Sequence, residues 1–205
     1  MDFREIEKFF KPRFLSKNMG YKKYLSKLWN DHDKINALIR PRMVEWRKSN
    51  AVVRVDHPTR PDKAHALGFR AKQGYVVARV RLLRGGHERP RFNSGRKSKN
   101  TRRKLVLGMN YQWIAEQRAN KHYPNCEVVN SYYLARDGTH YFYEVIMIDR
   151  EIAKKYPEIK NVARQRGRVY RGITSAARKA RGLQGTGKGY EKMRPSKRSN
   201  RIIRH

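Results

Sequence analysis

Cysteine is almost missing from this chain: Cys126 is the only one among 205 residues. A single thiol can form neither an internal disulfide nor a thiolate zinc cluster, which fits a reducing compartment and an idle or buried thiol. Long apolar stretches are missing as well. No run approaches the roughly 18 residues of a membrane span. The start, Met1-Asp2-Phe3-Arg4-Glu5, lacks the apolar core of a secretory signal. The expectation is an intracellular protein with no membrane partner. Acidic residues are scarce too, with 17 Asp and Glu against 50 Lys and Arg and a formal charge of +33. Like charges at that density weaken a compact state. A phosphate backbone is the commonest polyanion to neutralise them, because each neutralised phosphate releases condensed counterions. An anionic membrane surface would call for an amphipathic helix with one long basic face, whereas the basic residues here are spread through loops.

Catalytic signatures are also lacking. His32, His57, His65, His87, His122, His140 and His205 are scattered, with no HxxxH or HExxH pair, so neither a metal nor any other cofactor is expected. Asp62, between Arg60 and Lys63, reads as a local ion pair organising a turn. Asp137 and Asp149 read as turn residues at strand ends. Gly182-Leu183-Gln184-Gly185-Thr186-Gly187-Lys188 spells most of a phosphate-binding P-loop, but Gly189 stands where Ser or Thr must hold magnesium. No strand pattern precedes the run, so flexible RNA contact is the better account. The chain reads as a non-enzyme with no small-molecule substrate.

What the sequence does contain is charge in blocks. Residues 1–59 hold 14 basic and 7 acidic residues, residues 60–104 hold 15 and 2, residues 105–159 hold 6 and 7, and residues 160–205 hold 15 and 1. A nearly neutral segment therefore lies between two intensely basic ones, which read as interaction arms rather than as solvated helix faces.

The neutral segment carries the clearest folding signals. Asn110 is placed to cap a helix over 111–121 with Tyr111, Ile114, Ala115 and Ala119 on one face. Two aromatic and β-branched runs, 127–134 and 140–148, flank Asp137-Gly138 and predict a hairpin with a loop longer than two residues. Tyr132, Tyr143, Val145 and Ile148 are the expected core positions. Between Tyr75 and Arg84, Val76, Ala78, Val80 and Leu82 alternate with Arg79 and Arg81, a half-buried strand with a basic outer face. Ala51–Val55 supplies a short fourth strand. The fold class is α+β: a small antiparallel sheet with a helix on one face. Two N-terminal helical stretches precede it. Tyr21, Tyr24, Leu25, Leu28 and Trp29 form one stripe; Ile35, Leu38, Ile39, Met43 and Trp46 form another that Pro41 should kink or split. Both stripes read as core packing.

The expected organisation is an N-terminal extension over 1–18, an α+β domain over 19–163 with a basic loop at 84–104, and a basic extended tail over 164–205. Loop and tail are rich in Arg, Lys, Gly and Ser and poor in apolar residues, so each is expected to be disordered alone and to order on RNA. The residues expected to meet RNA are Arg60, Lys63, Arg70, Lys72, Arg79, Arg81, Arg84, Arg89, Arg91, Arg96, Lys97, Lys99, Arg102, Arg103 and Lys104. In the tail they are Arg168, Arg171, Arg178, Lys179, Arg181, Lys188, Lys192, Arg194, Lys197 and Arg198. An RNA-modifying enzyme would show a cofactor loop or a carboxylate pair, and a DNA binder a helix with polar base-reading residues. The sequence offers neither.

Several segments resemble one family, the archaeal and eukaryotic large-subunit ribosomal protein fifteen-e. They are Pro58-Thr59-Arg60-Pro61-Asp62-Lys63-Ala64, Leu67-Gly68-Phe69, Ala71-Lys72-Gln73-Gly74-Tyr75, Arg84-Gly85-Gly86, Asn130-Ser131-Tyr132 and Glu144-Val145-Ile146-Met147-Ile148-Asp149. The last is Arg171-Gly172-Ile173-Thr174-Ser175-Ala176-Ala177-Arg178-Lys179-Ala180-Arg181-Gly182-Leu183. The resemblance runs from about Met19 to the C-terminus. Phe69 and Ala177 stand where the family would have Tyr and Gly. Residues 1–18 precede the family's usual start and are either an extension or an upstream start codon. The resemblance implies a structural constituent of the large ribosomal subunit in the cytoplasm. Its loop and tail would thread between helices of large-subunit ribosomal RNA, with other large-subunit proteins as neighbours.

The near-P-loop yields a direct test. Purified protein should neither hydrolyse nor tightly bind ATP or GTP. Micromolar binding abolished by Lys188→Ala would overturn that reading.

Overall fold

The computed structural model describes residues 19–86, 88, 90, 104, 105, 108–185 and 187–190. Two compact units divide the chain, Met1–Arg42 and Met43–His205. In the first, helix α1 spans Met19–Asn30, and helix α2 begins at His32 and runs on to Lys48. Tyr21 and Tyr24 are exposed, so the α1 stripe is not buried as a core stripe would be. Pro41 does not split α2. Its ring offers no N–H to the Ala37 carbonyl one turn back, yet the helix continues on both sides.

The second unit is built on a four-stranded, wholly antiparallel sheet in the order β1-β2-β4-β3. Strand β1 is Val52–Val55 and β2 Tyr75–Leu83, with the short helix α3, Pro61–Ala66, between them. Helix α4, Tyr111–His122, then leads to the hairpin of β3, Cys126–Arg136, and β4, His140–Asp149. The hairpin loop has three residues because Asp137 Oδ1 accepts from the Thr139 and His140 backbone N–H groups at 2.8 and 2.5 Å. Asn110 caps α4 as expected, its Oδ1 accepting from Trp113 N at 2.8 Å. Short helices α5 (Arg150–Ala153), α6 (Lys160–Arg164) and α7 (Ser175–Ala180) complete the unit.

Strand β4 is covered on both faces. Tyr143, Val145 and Met147 join Ala78, Val80, Leu82 and the α4 residues Trp113, Ala115 and Ala119 in one core. On the other face, Phe142 meets the Trp46 ring edge-on at 5.3 Å, and Ile148 packs with Ala153, Ile159 and Ala163 of the α5–α6 region. The expectation of a helix on one face is thus extended: the run from Val145 to Ile148 lacks polar alternation because it is buried on both sides. The Gly74 of the family-like motif has a physical reason as well. Its φ is +91°, and a Cβ there would lie 2.7 Å from Ile152 Cγ2.

One expectation is corrected. Residues 164–183 are not an extended arm. Val169, Thr174, Ala176 and Ala177 are buried, Trp113 Nε1 donates to the Val169 carbonyl at 2.7 Å, and Asn110 Nδ2 donates to that of Ala176 at 3.0 Å. Composition misled here because the apolar residues are few and small. Small residues are what a backbone needs to lie close against α4.

Val145 has no exposed surface and sits at the centre of the larger core. Val145→Ala should cost about 2 kcal/mol or more in lost burial and cavity. The thermal midpoint should fall while the salt dependence of RNA binding stays as it was. An unchanged midpoint would show that this face is not the core.

Candidate nucleic-acid interface

The basic residues expected to meet RNA divide by what their side chains already hold. Arg60 pairs with Asp62 at 3.3 Å, and both side chains are mostly buried. Arg70 donates to the carbonyls of His65 and Phe69 at 3.1 and 2.9 Å. The Arg79 guanidinium lies 4.8 Å from the centre of the Trp46 ring and stands opposite Glu144 in the β2–β4 register. Arg81 donates to the Arg47 carbonyl. The outer face of β2, expected to be an open basic surface, is therefore partly covered by the end of α2. Arg84 lies over Tyr141 at 5.1 Å and donates to the Asp137 carbonyl at 2.5 Å, while remaining exposed. Arg168 donates to Val128 O at 2.8 Å and Arg181 to Gly172 O at 3.0 Å. These arginines are engaged within the fold.

The others face solvent. Lys63, Lys72, Lys104, Arg171, Arg178, Lys179 and Lys188 are exposed. Lys104 pairs with Glu88 in an isolated antiparallel bridge, which brings together the two ends of the basic loop. Arg89, Arg91, Arg96, Lys97, Lys99, Arg102, Arg103, Lys192, Arg194, Lys197 and Arg198 lie outside the described residues.

The segment that is neutral by count is not neutral at its surface. Of its seven acids, Glu116, Glu127 and Glu144 are buried. Asp137 organises the hairpin loop, and Asp149 caps α5 by accepting from Glu151 N at 2.9 Å. Only Glu151 and Glu158 are exposed. Of its six basic residues, Arg118, Lys121, Arg136, Lys154 and Lys155 are exposed and Arg150 is half-buried. Counting charge along the chain missed this second basic surface. The signal was present in α4, where Arg118 and Lys121 lie off the stripe formed by Ala115 and Ala119.

Each buried glutamate is held by hydrogen bonds. Glu116 accepts from Ser131 Oγ at 2.5 Å and Thr174 Oγ1 at 2.6 Å. Glu127 accepts from Gly167 N at 2.7 Å. Glu144 accepts from Thr59 N at 3.1 Å and from the Tyr132 hydroxyl. Burial pushes the Glu116 and Glu144 carboxyls above the usual range even though these bonds pull the other way. Burial likewise lowers the Arg79 and Arg168 guanidinium values. Among the described residues no group of three or more His, Cys, Asp and Glu is arranged to hold a metal. The Gly182–Lys188 run follows helix α7, where a P-loop requires a strand. No helix among the described residues is long and apolar enough to cross a membrane.

Comparison with known proteins gives a consistent result. A family model described as Ribosomal L15 matches residues 20–200. The chain is also 48% identical over 169 residues to the large ribosomal subunit protein eL15 of Picrophilus torridus, covering 80% of this chain and 86% of that protein.

The inward acids carry a measurable cost. Because the folded-state pKa of Glu116 is raised, the folded protein binds more protons than the unfolded chain in the window above the ordinary glutamate value of 4.5. Stability from this group is intact below that value and is lost as pH rises through the folded value. Glu116→Gln can still bond both hydroxyls, and no longer ionises. Its thermal midpoint should exceed that of the wild type at neutral pH, with the gap closing as pH falls towards about 4. A gap that does not vary with pH would refute the assignment.

Proposed function

Because the chain belongs to the Ribosomal L15 family, we propose that it binds and stabilises folded large-subunit ribosomal RNA within the cytoplasmic ribosome. Membership makes it a ribosomal protein of a family that forms structural constituents of the large subunit. The RNA-binding role is supported above all by the direction its charges face. Glu116, Glu127 and Glu144 of the sheet unit are buried and Asp137 and Asp149 serve a turn and a cap, while every described lysine of that unit is exposed, in a chain of net charge +33.

A surface built in this way suits a polyanion of irregular shape. Exposed lysines meet phosphates as mobile point charges, and exposed arginines meet them through two parallel N–H donors or stack on unpaired bases. The chain contributes no chemical step on this reading. Its work is to neutralise phosphates where RNA helices approach one another, with other large-subunit proteins alongside.

Two measurements test the proposal. In a lysate gradient the chain should co-sediment with the large subunit and leave it at high salt. In binding to folded large-subunit RNA, log K against log salt should fall with a slope steeper than about −6, since each duplex phosphate contact contributes roughly −0.9. A slope shallower than about −3 would mean that the basic surface hardly touches the backbone.

A further inference from the structure

A cleft of about 460 Å³ opens between helices α5 and α6, lined by Arg150, Glu151, Lys154, Lys160, Ala163 and Arg164. We propose that this cleft is a binding site for backbone phosphates of RNA, a contact separate from those of the basic loop and tail. The inference rests on the RNA-binding reading and adds a place where a globular part of the fold grips the backbone.

Four cations meet in the cleft against one carboxylate. They come from separate stretches of sequence, Arg150 and Lys154 from the segment that is neutral by count and Lys160 and Arg164 from the next. Glu151 is engaged with Lys154 at 2.6 Å, so three cations remain without a counter-charge inside the lining. Arg150 is the most telling of them. It is half-buried in the lining, where its guanidinium calls for an acceptor. A phosphate oxygen is the acceptor that guanidinium geometry matches best.

The frame of the site packs against buried apolar residues. Ala163, in the lining, is buried with Ile148, Ala153 and Ile159, so the cleft is seated on the core beneath β4. Asp149 fixes the start of α5 through Glu151 N. The lining has no aromatic side chain, which removes the stacking platform that a base or free nucleoside would use. The chemistry selected is therefore the phosphate backbone, independent of sequence.

The test uses the full-length chain and folded large-subunit ribosomal RNA. Lys160 and Arg164 are exposed, so Lys160→Gln with Arg164→Gln should leave the thermal midpoint in place. If each meets a phosphate, the double variant should show a log K against log salt slope shallower by about 1.8, since each duplex contact contributes roughly 0.9. Wild-type Lys154 and Lys160 should also be protected from acetylation in the complex. A steep wild-type slope that the double variant leaves unchanged, with both lysines still acetylated, would overturn the cleft and spare the RNA-binding reading. A wild-type slope shallower than about −3 would sink both. Loss of subunit incorporation with RNA affinity intact would assign the cleft to an acidic protein neighbour and likewise overturn the proposal. Should the variant fail to fold, acetylation of the wild-type complex decides alone.

Discussion

A carboxylate can stay inside a protein only where hydrogen bonds or counter-charges replace its lost water, and this fold depends on three that do. Each buried glutamate bonds to a segment distant from it in the chain. Glu144 on β4 takes the backbone N–H of Thr59, fixing the approach to α3. Glu127 on β3 takes that of Gly167, and Glu116 on α4 takes the Thr174 hydroxyl along with that of Ser131 on β3. The segments so fixed are basic and poor in large apolar residues, and hydrophobic burial alone would hold them weakly. Polar anchors therefore set their place on the sheet, and the family-like blocks around Thr59 and Thr174 are where those anchors attach.

The same constraint explains how the two kinds of basic residue divide the work. Among the RNA-contact candidates within the described residues, those with intramolecular hydrogen bonds or stacking over Trp46 and Tyr141 are arginines: Arg60, Arg70, Arg79, Arg81, Arg84, Arg168 and Arg181. Guanidinium is planar, weakly hydrated and rich in directed donors, so it can be half-buried against a carbonyl or a ring. The ammonium of lysine is a compact, strongly hydrated charge and stays outside, as Lys63, Lys104, Lys179 and Lys188 do. Lys72 lies 5.3 Å from the centre of the Tyr156 ring and is exposed all the same.

Legibility from sequence followed the range of the interaction. The hairpin, the Asn110 cap and the strand Tyr75–Leu83 were readable because turn chemistry, capping and period-two alternation act between near neighbours. The second cover over β4 was foreshadowed only by the apolar run from Val145 to Ile148. Trp113 was not anticipated in the core, since the partner of its indole is Val169, 56 residues away. Residues 164–183 were misread for the same reason: their anchors, Glu116, Glu127 and Trp113, belong to elements far back in the chain. Nor does a charge count along the sequence say which way a side chain points. That is why residues 105–159 read as neutral while the folded surface is basic.

Turning acids inward has a consequence for how the fold meets its partner. With Glu116, Glu127 and Glu144 buried, fewer surface carboxylates are left to relieve repulsion between exposed cations, and the free protein bears more of the self-repulsion of its basic faces. On the RNA-binding reading, phosphates take over the screening that surface acids would otherwise have supplied. Ligand that binds only the folded form stabilises it by mass action, and here it also removes a term that opposes folding. Stability and binding are then coupled through one charge arrangement. Returning a buried glutamate to the surface would loosen an anchor and discharge the interface together. The inward placement of Glu116, Glu127 and Glu144 is thus a single solution to two demands, holding basic segments onto a sheet and keeping the outside basic.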